Sequence, residues 1–214
     1  MVHVIPTIFS YDKKGFFERF GRLVKASKYL QIDFMDGKFV KSKSVPLSVV
    51  PDLKKFNNYF EAHLMVSNPQ TWISKLKIKG FKKVIFHYEA MSSNEEIFSL
   101  VEKIKSSGMK AFIAVNPGTS VANVERFVPF VDGFLLMGVH PGLENQSLIS
   151  STYDHIRSLR KFSNEIVIQV DGGVTFDTAE RLSRASVNLV NSGSLVYNAY
   201  DPKKVIKRLE GFFK

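Results

Sequence analysis

Acidic and basic side chains interrupt several short apolar runs of this sequence, near the carboxyl end of each run. Asp33 is flanked by an isoleucine and a phenylalanine, His63 lies in the next run, and Asp171 directly follows a later one. A carboxylate within an apolar strand is costly to bury unless it is hydrogen-bonded, paired or bound to a cation. Each residue alone could be a satisfied polar group of the core. Together, two carboxylates and one imidazole favour a divalent metal site, or an acid–base pair acting on opposite faces of a substrate.

Small residues follow the last two apolar runs, as Gly172-Gly173 and as Gly193-Ser194. Backbone N–H groups at such positions can bind a phosphate group, particularly after the seventh and eighth strands of a parallel barrel. The alternative is that these residues only permit tight turns, since glycine serves both purposes. Two such sites on adjacent strands indicate a phosphate-binding site.

The elements that must position these residues alternate along the chain. Short β-branched runs precede longer segments with helical spacing of apolar residues, such as the one over Ile97–Ile104. Ser93 and Pro202 are typical of helix starts, while Gly80 and Gly108 are typical of helix ends. The predicted strands are Val2–Phe9, Tyr29–Met35, Tyr59–Val66, Lys83–Tyr88, Ala111–Val115, Gly133–Val139, Ile166–Val170 and Leu189–Ser192.

A strand–helix unit repeated about eight times over 214 residues predicts a closed parallel barrel. We therefore expect an α/β protein with a (β/α)8 TIM-barrel fold, formed by a single domain over residues 1–214. A doubly wound open sheet is the alternative, but it normally carries a glycine-rich phosphate loop after its first strand. Here the first predicted strand is followed by Ser10-Tyr11-Asp12, which contains no glycine.

Composition excludes several other classes of function. The chain has no cysteine, which rules out disulfides and thiolate metal sites, and it shows neither a membrane-spanning apolar run nor a signal peptide. We expect a cytoplasmic protein. The net charge of +10 could indicate nucleic-acid binding, but the lysines are scattered without interleaved aromatic residues. We interpret pairs such as Lys82–Lys83 as solvated positions at helix faces or element ends, and expect neither a nucleic-acid nor a membrane partner.

Eight short segments resemble the ribulose-phosphate 3-epimerase family in order and spacing, along essentially the whole chain. They are Pro6–Ser10, Asp33–Val40, His63–Val66, His87–Ala90, Asn116–Thr119, Met137–Gly142, Val170–Val174 and Ser192–Ser194. The resemblance implies the ribulose-phosphate binding type of barrel. It also implies interconversion of D-ribulose 5-phosphate and D-xylulose 5-phosphate, a reaction of the pentose phosphate pathway that proceeds through an enediolate.

The resemblance also implies roles for individual residues. Asp33 and Asp171 correspond to the two catalytic aspartates, and these bind one divalent ion (Zn, Fe, Mn, Co or Mg) together with two histidines, of which His63 matches the second. It further implies a phosphosugar site and a homo-oligomer. The residues that match the substrate-binding positions are Thr7, Met35, His63, Met65, Met137, Gly142, Gly172, Gly173, Gly193 and Ser194. Without the resemblance, the methionines would be read as core filling.

Three departures from the family pattern bear on function. Gln31 stands where the first metal histidine is expected, and an amide oxygen is a poorer ligand than imidazole for zinc or iron. The site could bind metal weakly, prefer a harder ion or have lost its metal; His140 is a further candidate ligand. The loop Gly142–Gln146 lacks two glycines and contains Glu144, which would repel a phosphate group if it faced inwards. Lys41 replaces a proline and could offset that charge.

The departures leave three hypotheses. The first is an epimerase of D-ribulose 5-phosphate, an isomerase with an unusual metal preference. The second is an epimerase of a related ketose phosphate such as D-allulose 6-phosphate. The third is a non-catalytic descendant that binds a sugar phosphate, but retention of both aspartates, His63 and the methionines argues against it.

Overall fold

Eight parallel strands form a closed barrel in the order β1 to β8 in a computed structural model that describes residues 3–143 and 146–213. The strands are β1 (His3–Ile8), β2 (Tyr29–Met35), β3 (Tyr59–Met65), β4 (Lys83–His87), β5 (Lys110–Val115), β6 (Gly133–Met137), β7 (Val167–Asp171) and β8 (Leu189–Ser192). Strand β8 pairs with β1 and closes the barrel. The predicted fold class is confirmed, although several predicted strand ends differ by one or two residues.

Helices cover the outside of the barrel. They are α1 (Lys13–Leu23), α2 (Ile73–Lys79), α3 (Asn94–Ser106), α4 (Ser151–Phe162), α5 (Phe176–Ser183), α6 (Ser194–Tyr197) and α7 (Pro202–Glu210). Short 3-10 segments lie at Leu47–Val49, Leu53–Lys55, Pro69–Thr71, Tyr88–Ala90, Val121–Phe127 and Gly211–Phe213. Among the described residues, the connections β2–β3 and β5–β6 contain 3-10 turns and no α-helix. In the first of these, Pro46 and Pro51 break up helical hydrogen bonding.

The residues predicted to lie at helix starts and helix ends do so in the structure. The Ser93 side chain accepts a hydrogen bond from the backbone N–H of Glu96 and caps α3. Pro202 lies in the first turn of α7, where a missing N–H costs nothing. Gly80 ends α2 with a φ of 100°, a left-handed conformation that other residues rarely adopt.

Alternation along the strands divides the buried residues into two sets. Residues such as Ile32, Phe34 and Leu64 face the helices and form the main apolar core. Their neighbours in the chain face the barrel interior, where register places Asp33 beside His63 and Met137 beside Asp171. The interior therefore holds the candidate functional residues at the carboxyl ends of the strands, as expected for this fold.

A polar network fills the barrel interior beneath those residues. The Lys83 ammonium lies 2.8 Å from Glu61 Oε2, 3.7 Å from the centre of the Phe112 ring, and within hydrogen-bond distance of the Gln169 side-chain oxygen. Gln169 Nε2 donates to Glu61 Oε1 at 2.5 Å and to Asn191 Oδ1 at 2.6 Å. The interpretation of Lys83 as a solvated surface lysine is therefore wrong. Its side chain is 3% exposed because it points inward from β4, whereas Lys82 is exposed.

None of the helices within residues 3–143 and 146–213 has the length and apolar composition needed to cross a bilayer. The part of the loop that contains Glu144 and Asn145 lies outside the described residues, so the predicted effect of Glu144 on phosphate binding stays a prediction.

Candidate active site

The two aspartates and the histidine predicted from the sequence lie together at the mouth of the barrel. His63 Nδ1 is 3.2 Å from Asp33 Oδ1 and 3.5 Å from Asp171 Oδ2. One ligand atom from each of the three residues lies within 4.8 Å of the others, and this is the arrangement that could hold a metal ion. His63 is fully buried, and each aspartate is 13% exposed, so both carboxylates border the open end of the barrel.

Gln31, two residues before Asp33 on β2, lies directly beneath the group. Its side-chain nitrogen Nε2 donates a hydrogen bond to Asp33 Oδ1 at 2.9 Å and another to Asp171 Oδ2 at 2.6 Å. The same nitrogen is 3.4 Å from His63 Nδ1. The amide N–H group thus cross-links the two carboxylates and reduces their mutual repulsion.

The oxygen of the same amide gives a test of whether the residues fit a metal ion. Gln31 Oε1 is buried and accepts no hydrogen bond from any residue of the described chain. Because the terminal amide torsion is soft and roughly two-fold, a half-turn would exchange oxygen for nitrogen and direct Oε1 at the group. Two carboxylates, one imidazole and one amide oxygen fit a divalent cation, with a bias toward hard ions such as Mn²⁺ and Mg²⁺.

The protonation of the group follows from burial and from mutual contact. Burial raises the pKa of Asp33 to about 6, with the hydrogen bonds from His63 and Gln31 opposing the shift. Burial alone would lower the pKa of His63, but the hydrogen bonds and charges of Asp171 and Asp33 outweigh it and raise that pKa to about 9. At neutral pH without a metal ion, a charged imidazolium therefore lies between Asp33 and Asp171.

A cleft of about 730 Å³ opens above this group. Its lining includes Thr7, Asp33, Met35, His63, Met65, Met137, Gly142, Asp171, Gly172, Gly173, Gly193 and Ser194. The structure therefore brings together all of the predicted substrate-binding residues. Two of the candidate metal ligands do not line the cleft. Gln31 is fully buried below it, and His140 is exposed and lies outside the Asp33–His63–Asp171 group.

Three methionines form the apolar wall of the cleft. Met35 and Met65 pack with Phe9, and Met137 packs in a separate interior cluster. The sulfur atoms are soft and weakly accepting, so they cover a reacting carbon atom without supplying a proton. Such a wall suits a carbanion-like intermediate that must not be quenched by water.

The glycines after β7 form a polar part of the cleft lining. Gly172 and Gly173 have φ values of 96° and 70°, which favour glycine over other residues. A side chain at Gly173 would also collide with the backbone of Leu148, and one at Gly172 would collide with the Val139 side chain. The close approach of these segments, rather than turn geometry alone, requires both glycines.

Two features of the cleft carried no role in the sequence analysis. Asn191 Nδ2 donates to Thr7 Oγ1 at 3.4 Å, which links the cleft to the network around Lys83. Gln146 Nε2 donates to the backbone oxygens of His140 at 2.7 Å and Leu143 at 3.0 Å, and both Leu143 and Gln146 line the cleft. The polar character of Gln146 gave no indication of these partners, because they are backbone atoms of a loop.

Comparisons with a family model and with individual proteins give the same family name. Residues 3–197 match the model of a family described as "Ribulose-phosphate 3 epimerase family". A Mycobacterium leprae (strain TN) protein named "Ribulose-phosphate 3-epimerase" is 32% identical over 192 residues, covering 87% of this chain and 84% of that protein. A Schizosaccharomyces pombe protein of the same name is 31% identical over 211 residues, covering 96% of this chain and 91% of its own length.

Solved structures show the fold alone. A crystal structure of 3-hexulose-6-phosphate synthase matches with a TM-score of 0.71 at 15% identity, covering 100% of both chains. Orotidine 5'-phosphate decarboxylase from Pyrococcus horikoshii OT3 matches with a TM-score of 0.67 at 14% identity, covering 98% of each chain.

Proposed function

Because the chain belongs to the ribulose-phosphate 3-epimerase family, a family of isomerases, we propose that it interconverts D-ribulose 5-phosphate and D-xylulose 5-phosphate. The observation that carries the proposal is the pairing of Asp33 and Asp171 from β2 and β7, which flank His63 at the floor of the cleft. Two carboxylates on opposite sides of a carbon atom can epimerise it, since one removes a proton from one face and the other returns a proton to the opposite face.

In the proposed reaction, one carboxylate takes the proton from C3 and the electron pair moves into the neighbouring carbonyl group, which gives an enediolate. The other aspartate, which holds a proton, delivers it to the opposite face of C3. The raised pKa of Asp33, about 6, brings that carboxyl group closer to the range in which it can both accept and donate a proton. A divalent ion held by Asp33, His63 and Asp171 would supply Lewis-acid stabilisation of the enediolate charge.

The remaining lining residues are assigned to binding. Backbone groups around Gly172, Gly173, Gly193 and Ser194 would bind the phosphate group, since this position after β7 and β8 holds phosphate in many barrels of this kind. Met35, Met65 and Met137 would cover the reacting carbon atom. The cleft volume of about 730 Å³ is ample for a pentose phosphate.

We further propose that Gln31 contributes an oxygen ligand and so weakens the preference of the site for Zn²⁺ over Mn²⁺ or Mg²⁺. Gln31→His is expected to raise Zn²⁺ affinity by at least about tenfold, since imidazole is the better ligand for zinc. Gln31→Leu, which lacks any ligand atom, is expected to weaken Mn²⁺ binding. Competition with a chelator of known affinity measures both. Unchanged Zn²⁺ affinity in Gln31→His, or unchanged Mn²⁺ affinity in Gln31→Leu, would remove Gln31 from the ligand set.

Metal affinity is also expected to depend on pH. Without metal, the pKa of His63 is raised to about 9 and that of Asp33 to about 6, so protons compete with the cation for both groups. We expect Mn²⁺ affinity to rise about tenfold per pH unit between pH 6 and 9, to flatten above 9, and to fall more steeply below 6. Anaerobic calorimetric titrations across this range measure the slope. A flat profile between pH 7 and 9 would mean either that His63 is not a ligand or that its pKa is not raised.

The name of one relative bears on the location of the protein in the cell. A rice relative, 31% identical over 211 residues, is named "Ribulose-phosphate 3-epimerase, cytoplasmic isoform". This name supports a cytoplasmic location for the present chain. Self-association into a homo-oligomer and the single-domain organisation of residues 1–214 stay predictions.

The proposed substrate is tested by comparing two ketose phosphates. Purified protein is assayed with D-ribulose 5-phosphate and with D-allulose 6-phosphate, each at several concentrations and with Mn²⁺ present. We expect kcat/KM to be higher for the pentose phosphate. A higher kcat/KM for the hexose phosphate would leave the two-carboxylate mechanism in place but make the hexose phosphate the preferred substrate.

A further inference from the structure

His87 and Glu89, at the end of β4, are not used by the proposed reaction, yet they adjoin the site. The Nε2 atoms of His63 and His87 are 2.9 Å apart, and the two ring planes differ by 23° with centroids 5.0 Å apart. His87 is fully buried, with Phe39 packed 4.8 Å from its ring. The Nε2 edge of His87 therefore contacts the Nε2 edge of His63, while Nδ1 of His63 faces Asp33 and Asp171.

Glu89 lies on the far side of His87. Its Oε2 atom is 3.4 Å from His87 Nδ1, and neither atom has a closer hydrogen-bond partner within the described residues. The other oxygen, Oε1, accepts a hydrogen bond from the backbone N–H of Asn116 at 2.8 Å, which fixes the orientation of the carboxylate. The group that lies against His87 Nδ1 is thus a carboxylate, which is an acceptor.

The direction of each hydrogen bond follows from this arrangement. An ionised carboxylate only accepts hydrogen bonds, so His87 carries its proton on Nδ1 and presents a lone pair at Nε2. Two N–H groups cannot face each other at 2.9 Å, so only one of the two Nε2 atoms carries a proton. The facing Nε2 atom of His63 must then be the donor. If His63 is also neutral, as it must be when it binds a cation, its own lone pair is at Nδ1, which faces Asp33 and Asp171.

We propose that Glu89 and His87 act as positioning residues that fix the tautomer of His63, and so direct its Nδ1 lone pair toward the space between Asp33 and Asp171. The inference rests on the proposed function only for its effect on turnover. An outer partner that sets the tautomer of a ligating histidine commonly changes metal affinity by about 10–100-fold when it is removed.

The direct test is the protonation pattern of the imidazole nitrogens, observed by ¹⁵N NMR in the whole protein at pH 8, without metal and with Mg²⁺. The chain has 5 histidines, so single replacements assign the signals. We expect His87 to be protonated at Nδ1 and unprotonated at Nε2 in both states. A proton on His87 Nε2 in the wild-type protein would overturn the proposal, whatever the activity.

Replacement of His87 tests the consequence. His87→Phe keeps an aromatic ring at this position but gives His63 Nε2–H no acceptor, so we expect Mn²⁺ affinity and kcat to fall by about 10–100-fold with little change in KM. The glutamine in His87→Gln can donate to Glu89 from its nitrogen and accept from His63 at its oxygen. We therefore expect this variant to keep most of the wild-type Mn²⁺ affinity and kcat. Wild-type Mn²⁺ affinity in a folded His87→Phe protein would contradict the proposal, as would equal losses in the two variants.

Glu89→Gln tests the outer partner. The amide oxygen can still accept from Asn116, which leaves the amide NH₂ facing His87 Nδ1. We expect a measurable population of the Nε2–H tautomer of His87 and a lower Mn²⁺ affinity. Glu102→Gln on the exposed side of α3 is the matched control and should change neither. An unchanged tautomer in Glu89→Gln would exclude Glu89. If the wild-type protein fails to epimerise any ketose phosphate, the proposed function is wrong while the tautomer result still stands.

Discussion

Asp33→Asn and Asp171→Asn are each expected to lower kcat for epimerisation by about 10²–10⁴-fold, because asparagine has nearly the same shape as aspartate but cannot take up a proton. The two variants should also differ from one another. Each retains one carboxylate, which can still remove a proton from the epimer on its own side and return it to the same face. We therefore expect each variant to exchange the C3 proton slowly with solvent, without epimerisation, from one epimer only. The two variants should act on different epimers.

The measurement is ¹H NMR of C3 deuteration in D₂O, starting from D-ribulose 5-phosphate and separately from D-xylulose 5-phosphate. Asp154→Asn is a suitable control, since that carboxylate is 68% exposed and pairs with Arg157 on the surface. Epimerisation at the wild-type rate in either variant would rule out the two-carboxylate mechanism. Exchange from the same epimer in both variants would mean that the two aspartates do not act on opposite faces.

Lys83→Met is expected to destabilise the protein by about 3–5 kcal/mol, because it leaves Glu61 as an unpaired charge inside the barrel. The carboxylate is 2% exposed, and its partner is the Lys83 ammonium 2.8 Å away. Adding Glu61→Gln to Lys83→Met removes the unpaired charge but keeps a hydrogen bond to Gln169. This double variant should therefore recover part of the lost stability. The free energy of unfolding is measured by urea denaturation at pH 7.

Lys82→Met is the matched control, because this neighbouring lysine is exposed and should change stability by no more than about 0.5 kcal/mol. A change of that size in Lys83→Met would mean that Glu61 can stay in the barrel interior without a cationic partner at no cost. The prediction would then be wrong, although the barrel itself would be unaffected.

The barrel and the positions of Asp33 and Asp171 could be predicted from local patterns. Alternation along β2 places Asp33 inward beside apolar neighbours that face the helices, and the same reasoning applies to β7. The contacts of Gln31 could not be predicted, because its amide meets a residue 140 positions away and its orientation depends on both carboxylates at once. The resemblance marked Gln31 as a departure but gave no indication that its nitrogen bridges Asp33 and Asp171.

The burial of Lys83 is a second feature that could not be predicted from the local sequence. In the sequence it follows Lys82 directly, and two adjacent lysines are typical of a solvated surface. Only strand alternation sends one of them inward, and only the register of β3 beside β4 supplies Glu61 as its partner. A buried charge of this kind is identified by its partner, which lies outside any local pattern.

The most direct test of the account is the fate of the C3 proton of D-ribulose 5-phosphate with the wild-type protein. Metal is removed with a chelator, and the protein is incubated with substrate in D₂O, alone and with Mn²⁺, Mg²⁺, Zn²⁺, Co²⁺ or Fe²⁺, before NMR of the reisolated sugar phosphate. We predict formation of D-xylulose 5-phosphate that carries deuterium at C3, fastest with Mn²⁺ or Mg²⁺. Folded protein that neither exchanges nor epimerises this substrate with any of the ions would contradict the assignment of Asp33 and Asp171 as its acid–base pair.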